Sequence, residues 1–350
     1  MRNYSESKDF VKLIIENNYN RAMEIAKLHK GPARLGLGLA ALGRPGYINL
    51  GHDQDIGADK SMLALREQCW EVLDAAWAGG MRYFDAARSY GQAEAFLAGW
   101  LAGRRIAPQD AVVASKWGYT YTADWQVAAE QHEVKEHSLA VLQRQVKESR
   151  RYLGEHLALY QIHSATQSSG VLQNRKVLDE LWRLKAGGLA IGLSVSGPGQ
   201  AVTIEQALTI QRDGQLLFDT VQATWNLLEP SAASALEAAH EAGLLVIIKE
   251  ALANGRLTDR SQPTDFVRQG HLLTDLCAEL DCTLDALALA AALAQPWAGV
   301  VLSGAATVDH LHSNLKAVDL HISSTELDTL QAWAENPAAY WQQRSQLEWT

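Results

Sequence analysis

Cysteine is scarce in this 350-residue chain, with only Cys69, Cys277 and Cys282. An odd number at spacings that match no zinc or redox pattern leaves at least one thiol unpaired and excludes a disulfide-built scaffold. Long apolar runs are also missing. The longest, Ala286 to Ala294, stops at Gln295-Pro296, far short of the ~18 residues that a membrane helix needs. Positive charge is in deficit, 31 Lys and Arg against 40 Asp and Glu for a net charge of −9. Phosphate backbones require a basic face, so nucleic acid is not expected as a partner. Residues 1–32 hold Glu6, Asp9, Glu16 and Glu24 and no uninterrupted hydrophobic stretch or small-residue cleavage site. That fits neither a secretory signal nor an acid-poor transit peptide. These absences lead to the expectation of a cytoplasmic protein with no membrane or nucleic-acid partner; they are silent on oligomeric state.

What is present is an ordinary globular composition, 47% hydrophobic and 20% charged, which favours a folded core over disorder. Residues 9–28 carry a loose helical pattern closed by Gly31-Pro32, read as a helical arm over 1–33. From Arg34 onward, apolar β-type runs alternate with amphipathic stretches. The runs are Leu35–Ala40, Met81–Phe84, Ala111–Ser115, Leu157–Ile162, Leu189–Leu193, Phe218–Ala223, Leu244–Ile248 and Gly299–Leu302. Helical patterns lie between them at 61–78, 92–102, 138–152, 175–186, 199–211, 231–241, 265–293 (broken) and 307–317. Continuous apolar strands alternating with helices mean a parallel sheet covered by helices. Eight such units predict an α/β fold, a (β/α)8 TIM barrel over 34–322. An extra helix, Thr325 to Glu335, and an aromatic tail with Tyr340, Trp341 and Trp349 fill 323–350.

One motif points elsewhere. Gly36-Leu37-Gly38-Leu39-Ala40-Ala41 satisfies G-x-G-x-x-A, with Asp53 and Asp55 downstream as a dinucleotide fingerprint requires. That fingerprint needs a helix starting at its glycines, whereas Leu42 to Gly51 reads as loop. Glycines in a barrel strand and its following loop are the better reading.

Active sites of such barrels sit at strand C-termini and in the loops after them. Asp85 ends the second run, Lys116 follows the third, His163 closes the fourth, and Tyr90 lies in the loop after Asp85. Taken singly, each has a structural explanation: a capping carboxylate, a turn aromatic, a solvated cation, a satisfied strand-end imidazole. Placed together on one rim, they form a kit for protonating a carbonyl oxygen. A phenol with a pKa near 10 donates a proton more readily beside a cation, and a buried Lys needs a carboxylate. No His and carboxylate cluster suited to a metal is apparent; His310 and His312, at i and i+2 on a helix, do not face each other.

At these residues the sequence resembles the aldo-keto reductase family. Ala78 through Glu94, containing Phe84-Asp85-Ala86-Ala87 and Ser89-Tyr90-Gly91, is similar to the family signature. Val113-Ala114-Ser115-Lys116 and Leu159-Tyr160-Gln161-Ile162-His163 are similar to its next two motifs. Ile191 to Val195, Val221 to Asn226 and Val301 through Asn314 follow in the family's order. The resemblance implies a nicotinamide-dependent reductase of a small-molecule carbonyl, or the reverse alcohol oxidation. It makes Tyr90 the general acid, Lys116 the group that lowers its pKa, Asp85 the partner of Lys116, and His163 the group that orients the carbonyl or relays a proton. It implies NADP(H), with NAD(H) possible, held by Gly38 and Leu39, by Ser194 and Gln222, by Lys249, Leu252 and Asn254, and by Ser303, Gly304, Ala305, His310 and Asn314. The turn Ser303 to Thr307 before a helix is the expected phosphate site.

The chain departs from the family at Val195, where Asn is usual, and at Lys249, where an aromatic commonly stacks on the nicotinamide. Gly304 and His310 stand where cations would grip a 2′-phosphate. Trp117, Tyr119, Tyr121, Trp125 and Trp225 are the expected lining of an apolar substrate pocket, favouring an aromatic or cyclic aldehyde or ketone. The alternative function is a cofactor-binding regulatory or interaction subunit with little turnover.

Overall fold

In a computed structural model, residues 34–261 and 270–350 are described. The arm over 1–33 and the start of the broken 265–293 pattern therefore lie outside the described residues. Eight parallel strands close into a barrel: β1 (Leu35–Gly38), β2 (Tyr83–Asp85), β3 (Val112–Trp117), β4 (Leu157–Ala165), β5 (Ala190–Val195), β6 (Thr220–Thr224), β7 (Leu245–Lys249) and β8 (Val300–Ser303). Each pairs with its sequence neighbours, and Leu35↔Val301 and Gly36↔Tyr83 tie β1 to both β8 and β2. All eight expected runs are strands. The glycine motif sits in β1 and the irregular turn after it, not at the start of a helix.

Helices α1 (Met62–Ala78), α2 (Ala93–Arg104), α3 (Leu139–Leu153), α4 (Arg175–Ala186), α5 (Gln200–Leu208), α6 (Ala233–Glu241), α7 (Leu284–Leu293) and α8 (Val308–Leu315) follow the strands in order. Side-chain caps start several of them: Ser61 accepts from Ala64 N–H, Ser138 from Val141, Asn174 from Val177 and Thr307 from His310. A helix over Gly270–Glu279 precedes α7, so the pattern read there as broken is two helices. The stretch after α5 differs from expectation. It turns into a hairpin, Gln211–Arg212 against Gln215–Leu216, because Asp213-Gly214 supplies two consecutive positive φ angles. A second hairpin, Tyr119–Tyr121 against Glu133–Lys135, rises from the end of β3.

Two more helices, α9 (Ser324–Gln331) and α10 (Pro337–Ser345), follow α8. The second was read only as an aromatic tail. Its readable signal was Asn336-Pro337, a capping Asn whose side chain accepts from Ala339 N–H, then Pro at the first helical position. Leu330, Trp333, Tyr340 and Trp341 join the large hydrophobic core between strands and helices. A smaller cluster consists of strand residues alone: Tyr83, Val112, Ala114, Leu159, Ala190, Leu245, Ile247, Val300 and Leu302 fill the barrel itself.

Candidate active site

Side chains alternate across a strand, so residues two beyond an inward-facing core residue also face inward, nearer the C-terminal rim. From Tyr83 that step reaches Asp85, and from Ala114 it reaches Lys116. From Leu159 it passes Gln161 to His163, and from Ile247 it arrives at Lys249. Lys116 and His163 consequently sit inside β3 and β4, which run further than the apolar composition indicated. Period-two geometry stacks apolar layers below and a polar layer above.

Asp85 anchors that layer. Its Oδ1 accepts from Lys116 Nζ in a buried ion pair, and its Oδ2 accepts from Gln222 Nε2 at 2.9 Å, Gln161 Nε2 at 3.2 Å and Tyr83 Oη at 3.3 Å. Lys116 Nζ also donates to Ala86 O at 3.2 Å and lies 3.4 Å from Tyr90 Oη. Edge to face at 5.5 Å, the rings of Tyr90 and His163 meet, and His163 Nδ1 lies 3.5 Å from Ser89 Oγ. Two glycines fix the loop carrying Tyr90. A Cβ on Gly43 would meet Tyr90 O at 2.2 Å, while Gly91, at φ +55, would meet Gly43 O at 2.4 Å. Only backbone fits at that crossing.

Electrostatics follow burial. The Tyr90 phenol is raised well above its usual range by burial and by the Asp85 carboxylate, against an opposing pull from Arg44. The net shift at Tyr90 is upward, with Lys116 Nζ 3.4 Å from its hydroxyl and paired to Asp85. Burial, and then the Lys116 and Arg44 cations, hold the His163 imidazole well below its ordinary value, hence neutral. Lys249 is brought down to about 8, mainly by burial. It donates to Thr224 Oγ1 at 2.6 Å and reaches Glu250 Oε1 at 3.4 Å. Burial alone would raise the Glu250 carboxyl; the Arg344 guanidinium and Lys249 keep it below the usual carboxylate range.

A cavity of about 700 Å³ opens on this layer and runs to the N-terminus of α8. Of the expected cofactor residues, Gly38, Ser194, Gln222, Lys249, Leu252, Asn254, Ser303, Gly304, Ala305, His310 and Asn314 line it. Leu39 does not; it is fully buried, with its N–H donating to Asp85 O. At the far end Ser303 Oγ donates to Asn314, and Asn314 donates to Asp285, each at 2.7 Å. The substituted position Val195 faces the outer core.

The aromatic expectations need correction. Tyr119 lines the cavity, its ring 4.8 Å from that of His163. Trp117, next to inward-facing Lys116, points the other way and packs edge-on against His137. Tyr121 and Trp125 bond to each other, Trp125 N–H donating to Tyr121 Oη, and Trp125 Nε1 donates to Lys60 O. Trp225 meets Trp297 in the core. None of these four lines the cavity. Residues that sequence reasoning missed do line it: Arg44, Tyr47, Glu133, Ser196, Glu250, Arg260 and Arg344. The tail closes over this side, where Tyr47 and Thr350 exchange backbone hydrogen bonds and Trp349 stacks on His132 at 3.9 Å. Among the described residues no group of three His, Cys, Asp or Glu is placed to hold a metal, and no helix is long and apolar enough to cross a membrane.

Comparison with known proteins agrees with this architecture. The chain is similar to the uncharacterized oxidoreductase YrpG of Bacillus subtilis, 26% identical over 327 residues, covering 84% of this chain and 94% of that one. It is also similar to the aldo-keto reductase ausK of Emericella nidulans, 24% identical and covering 76% and 72% of the two chains. Among solved structures, the aldo-keto reductase AKR11C1 of Bacillus halodurans in its holo form superposes with a TM-score of 0.64 at 23% identity, over 89% of this chain and 94% of that one. A Klebsiella pneumoniae aldo/keto reductase in complex with NADP and acetate gives 0.61 at 21% identity, over 85% and 90%. The family model described as Aldo/keto reductase family matches residues 34–335, the whole barrel and its first appended helix, and the chain belongs to that family.

Proposed function

We propose that this protein reduces the carbonyl of a small molecule, and oxidises the corresponding alcohol, with NADP(H) as the cofactor class and NAD(H) also accepted. The observation that carries this reading is the buried Asp85–Lys116 pair set 3.4 Å from the Tyr90 hydroxyl, beside a neutral His163, at the end of a long cavity.

The chain's own groups fit a nicotinamide cofactor. Ser194 Oγ accepts from Ser164 N–H at 2.8 Å, which leaves its proton to donate to a carboxamide oxygen. Gln222 spends its Nε2 on Asp85, leaving Oε1 to accept from a carboxamide NH2. Asn254 Oδ1 is a buried acceptor without a partner among the described residues, on the wall of the same cavity. The Gly304 turn and the N-terminus of α8 would take the phosphate end, where helix N–H groups and dipole favour anions. When bound, the cofactor supplies the hydride that reaches the carbonyl carbon.

Tyr90 is the proton donor. Its raised pKa keeps the phenol protonated at neutral pH, so the proton is available for the oxygen that gains charge as hydride arrives. Lys116, held in place by Asp85, stabilises negative charge developing on the Tyr90 oxygen during transfer. His163, neutral and engaged at Nδ1 by Ser89, keeps Nε2 for orienting the carbonyl oxygen. A panel of aldehydes, ketones and alcohols tested with NADPH and NADH, followed by nicotinamide absorbance, checks the proposal. Turnover of a carbonyl by either cofactor supports it; cofactor binding with no turnover across the panel assigns the protein to the regulatory class instead.

A further inference from the structure

Lys249 brings to the polar layer a cation whose counter-charge is incomplete. It ends β7 and lines the cavity, and its ammonium donates to Thr224 Oγ1 at 2.6 Å. The nearest carboxylate, Glu250, is engaged first by Arg344, which reaches its two oxygens at 2.5 and 2.8 Å, while Lys249 Nζ stands 3.4 Å away. On this end of the wall Arg44, Lys116, Lys249 and Arg344 face only Asp85, Glu133 and Glu250. One positive charge is left over.

The barrel register says what feels that charge. Lys249 pairs with Thr224, and Gln222 pairs with both Ile247 and Ser194. Lys249 therefore sits one strand over and two residues up from Gln222, their Cα atoms about 8 Å apart by standard strand spacing and rise. Its charge reaches further round the rim, to His163 on β4, whose pKa it helps to lower. Strands β5 and β6, carrying Ser194 and Gln222, lie between β4 and β7. A nicotinamide whose carboxamide meets Ser194 and Gln222 lies in the same field. That ring is positive when oxidised and neutral when reduced, so Lys249 repels only one of its two states.

We propose that Lys249 sets the redox preference of the site, weakening the oxidised nicotinamide cofactor relative to the reduced one and making the bound oxidised form a stronger hydride acceptor. The proposal deepens, and rests on, the nicotinamide-oxidoreductase reading. It favours alcohol oxidation on the enzyme: the C–H electron pair leaves the alcohol carbon as hydride and cancels the charge of the ring, while the hydroxyl proton goes to the Tyr90 phenolate. Lys249 acts through its charge and makes no bond to the reacting atoms.

Alkaline pH removes this charge, because burial brings Lys249 down to about 8. The groups around it hold theirs: Glu250 is kept low, the Arg344 guanidinium and the Tyr47, Tyr90 and Tyr340 phenols are raised, and His163 is neutral. Lys116 and Asp85 face it as an ion pair, Arg44 is paired with Glu133, and the Trp341 ring lies 5.9 Å away. At pH 6.5 the ratio of dissociation constants, oxidised over reduced, should be raised about 10- to 30-fold by Lys249. The upper bound is the cost of expelling the Lys249 proton at about 1.5 pH units below its value.

Tryptophan-fluorescence titration with NADP+ and NADPH at pH 6.5 and 9, in wild type, Lys249→Met and Lys249→Arg, reads that ratio without turnover. The adenosine phosphates are common to both forms and cancel. In wild type the ratio should fall about 10- to 30-fold from pH 6.5 to 9. Lys249→Met should show the low value at both pH values, and Lys249→Arg, charged throughout, the high one. A wild-type ratio that does not change with pH, or a high ratio retained in Lys249→Met, overturns the proposal and leaves the oxidoreductase reading standing. Binding of neither form to wild type overturns that reading, and the proposal with it.

Discussion

At the scale of single residues, the pH behaviour of the reaction follows from where burial pushes each proton. The Tyr90 phenol is raised, so it stays protonated from acid to well past neutral, and reduction keeps its proton donor throughout that range. Oxidation needs the phenolate as base and should accelerate as pH rises toward the raised value. Reduction and oxidation rates measured from pH 6 to 9 should therefore be nearly flat and steadily rising, respectively. A bell-shaped reduction profile with an acid limb near the ordinary imidazole value of about 6.5 would contradict a neutral His163. Lys116→Met leaves the Asp85 carboxylate with neutral donors only, beside a phenol it already raises. Turnover should fall by at least about 100-fold, and by less in Asp85→Asn, measured as kcat at fixed cofactor saturation. At the end of the cavity proposed for the adenosine, Arg260 is committed to both oxygens of Asp55, and His310 lies 3.8 Å from the same carboxylate. Asp259, Asp285 and Asp309 line the wall nearby. Discrimination between NADPH and NADH should be weak, and His310→Arg should shift it toward NADPH by about 1–3 kcal/mol. Fluorescence titration of both cofactors checks this, and a strong wild-type preference untouched by the substitution would place the phosphate elsewhere. Of the four proposed catalytic residues, Asp85, Lys116 and His163 were legible because each stands at the end of an apolar run and alternation carries them to one rim, whereas Tyr90 lies in the loop after Asp85 and was legible through its motif. Alternation also explains the error at Trp117: it follows an inward Lys116 and must face outward. Arg44, Arg260 and Arg344 carried no comparable signal, since each acts from a loop or the tail, whose place no local period fixes.

At the scale of elements, two connections hold the site in register. The Gly43 and Gly91 crossing sets the height of the Tyr90 loop over β3, with Gln92 N–H donating to Gly43 O at 2.7 Å. Gly43→Ala inserts a methyl where no space exists, so the loop must lift and Tyr90 with it. We expect kcat to drop at least about 10-fold, because near-attack geometry tolerates about 1 Å poorly, while circular dichroism stays that of the barrel. The second connection is Arg344 on α10 gripping Glu250 after β7. Removing the cation from this buried carboxylate by Arg344→Met should destabilise the protein by about 3 kcal/mol. Thermal unfolding at pH 7 measures it, and a melting temperature within a degree of wild type would show that α10 is not tied down by this pair. Neither connection was visible in the sequence. Close backbone approach and a contact across 94 residues depend on the closed barrel, whereas helix caps and the Asn336-Pro337 start are local and could be read directly.

At the scale of the whole molecule, the fold was the most legible feature, because eight apolar runs separated by amphipathic helices admit few closed arrangements. Its closure is what brings Asp85, Lys116, His163, Gln222 and Lys249, drawn from β2, β3, β4, β6 and β7, onto one layer above a packed interior. In the proposed function the cavity joins a proton-transfer end to an anion-binding end, so chemistry and cofactor affinity should be separable by mutation. Tyr90→Phe separates them most directly: the ring and its packing on His163 and Arg44 remain, and only the hydroxyl is lost. Carbonyl turnover should fall by about 100- to 10,000-fold while the dissociation constant for the nicotinamide cofactor, measured by fluorescence quenching, changes by less than about threefold. Near wild-type turnover in Tyr90→Phe would remove Tyr90 from the reaction and contradict the account at its centre.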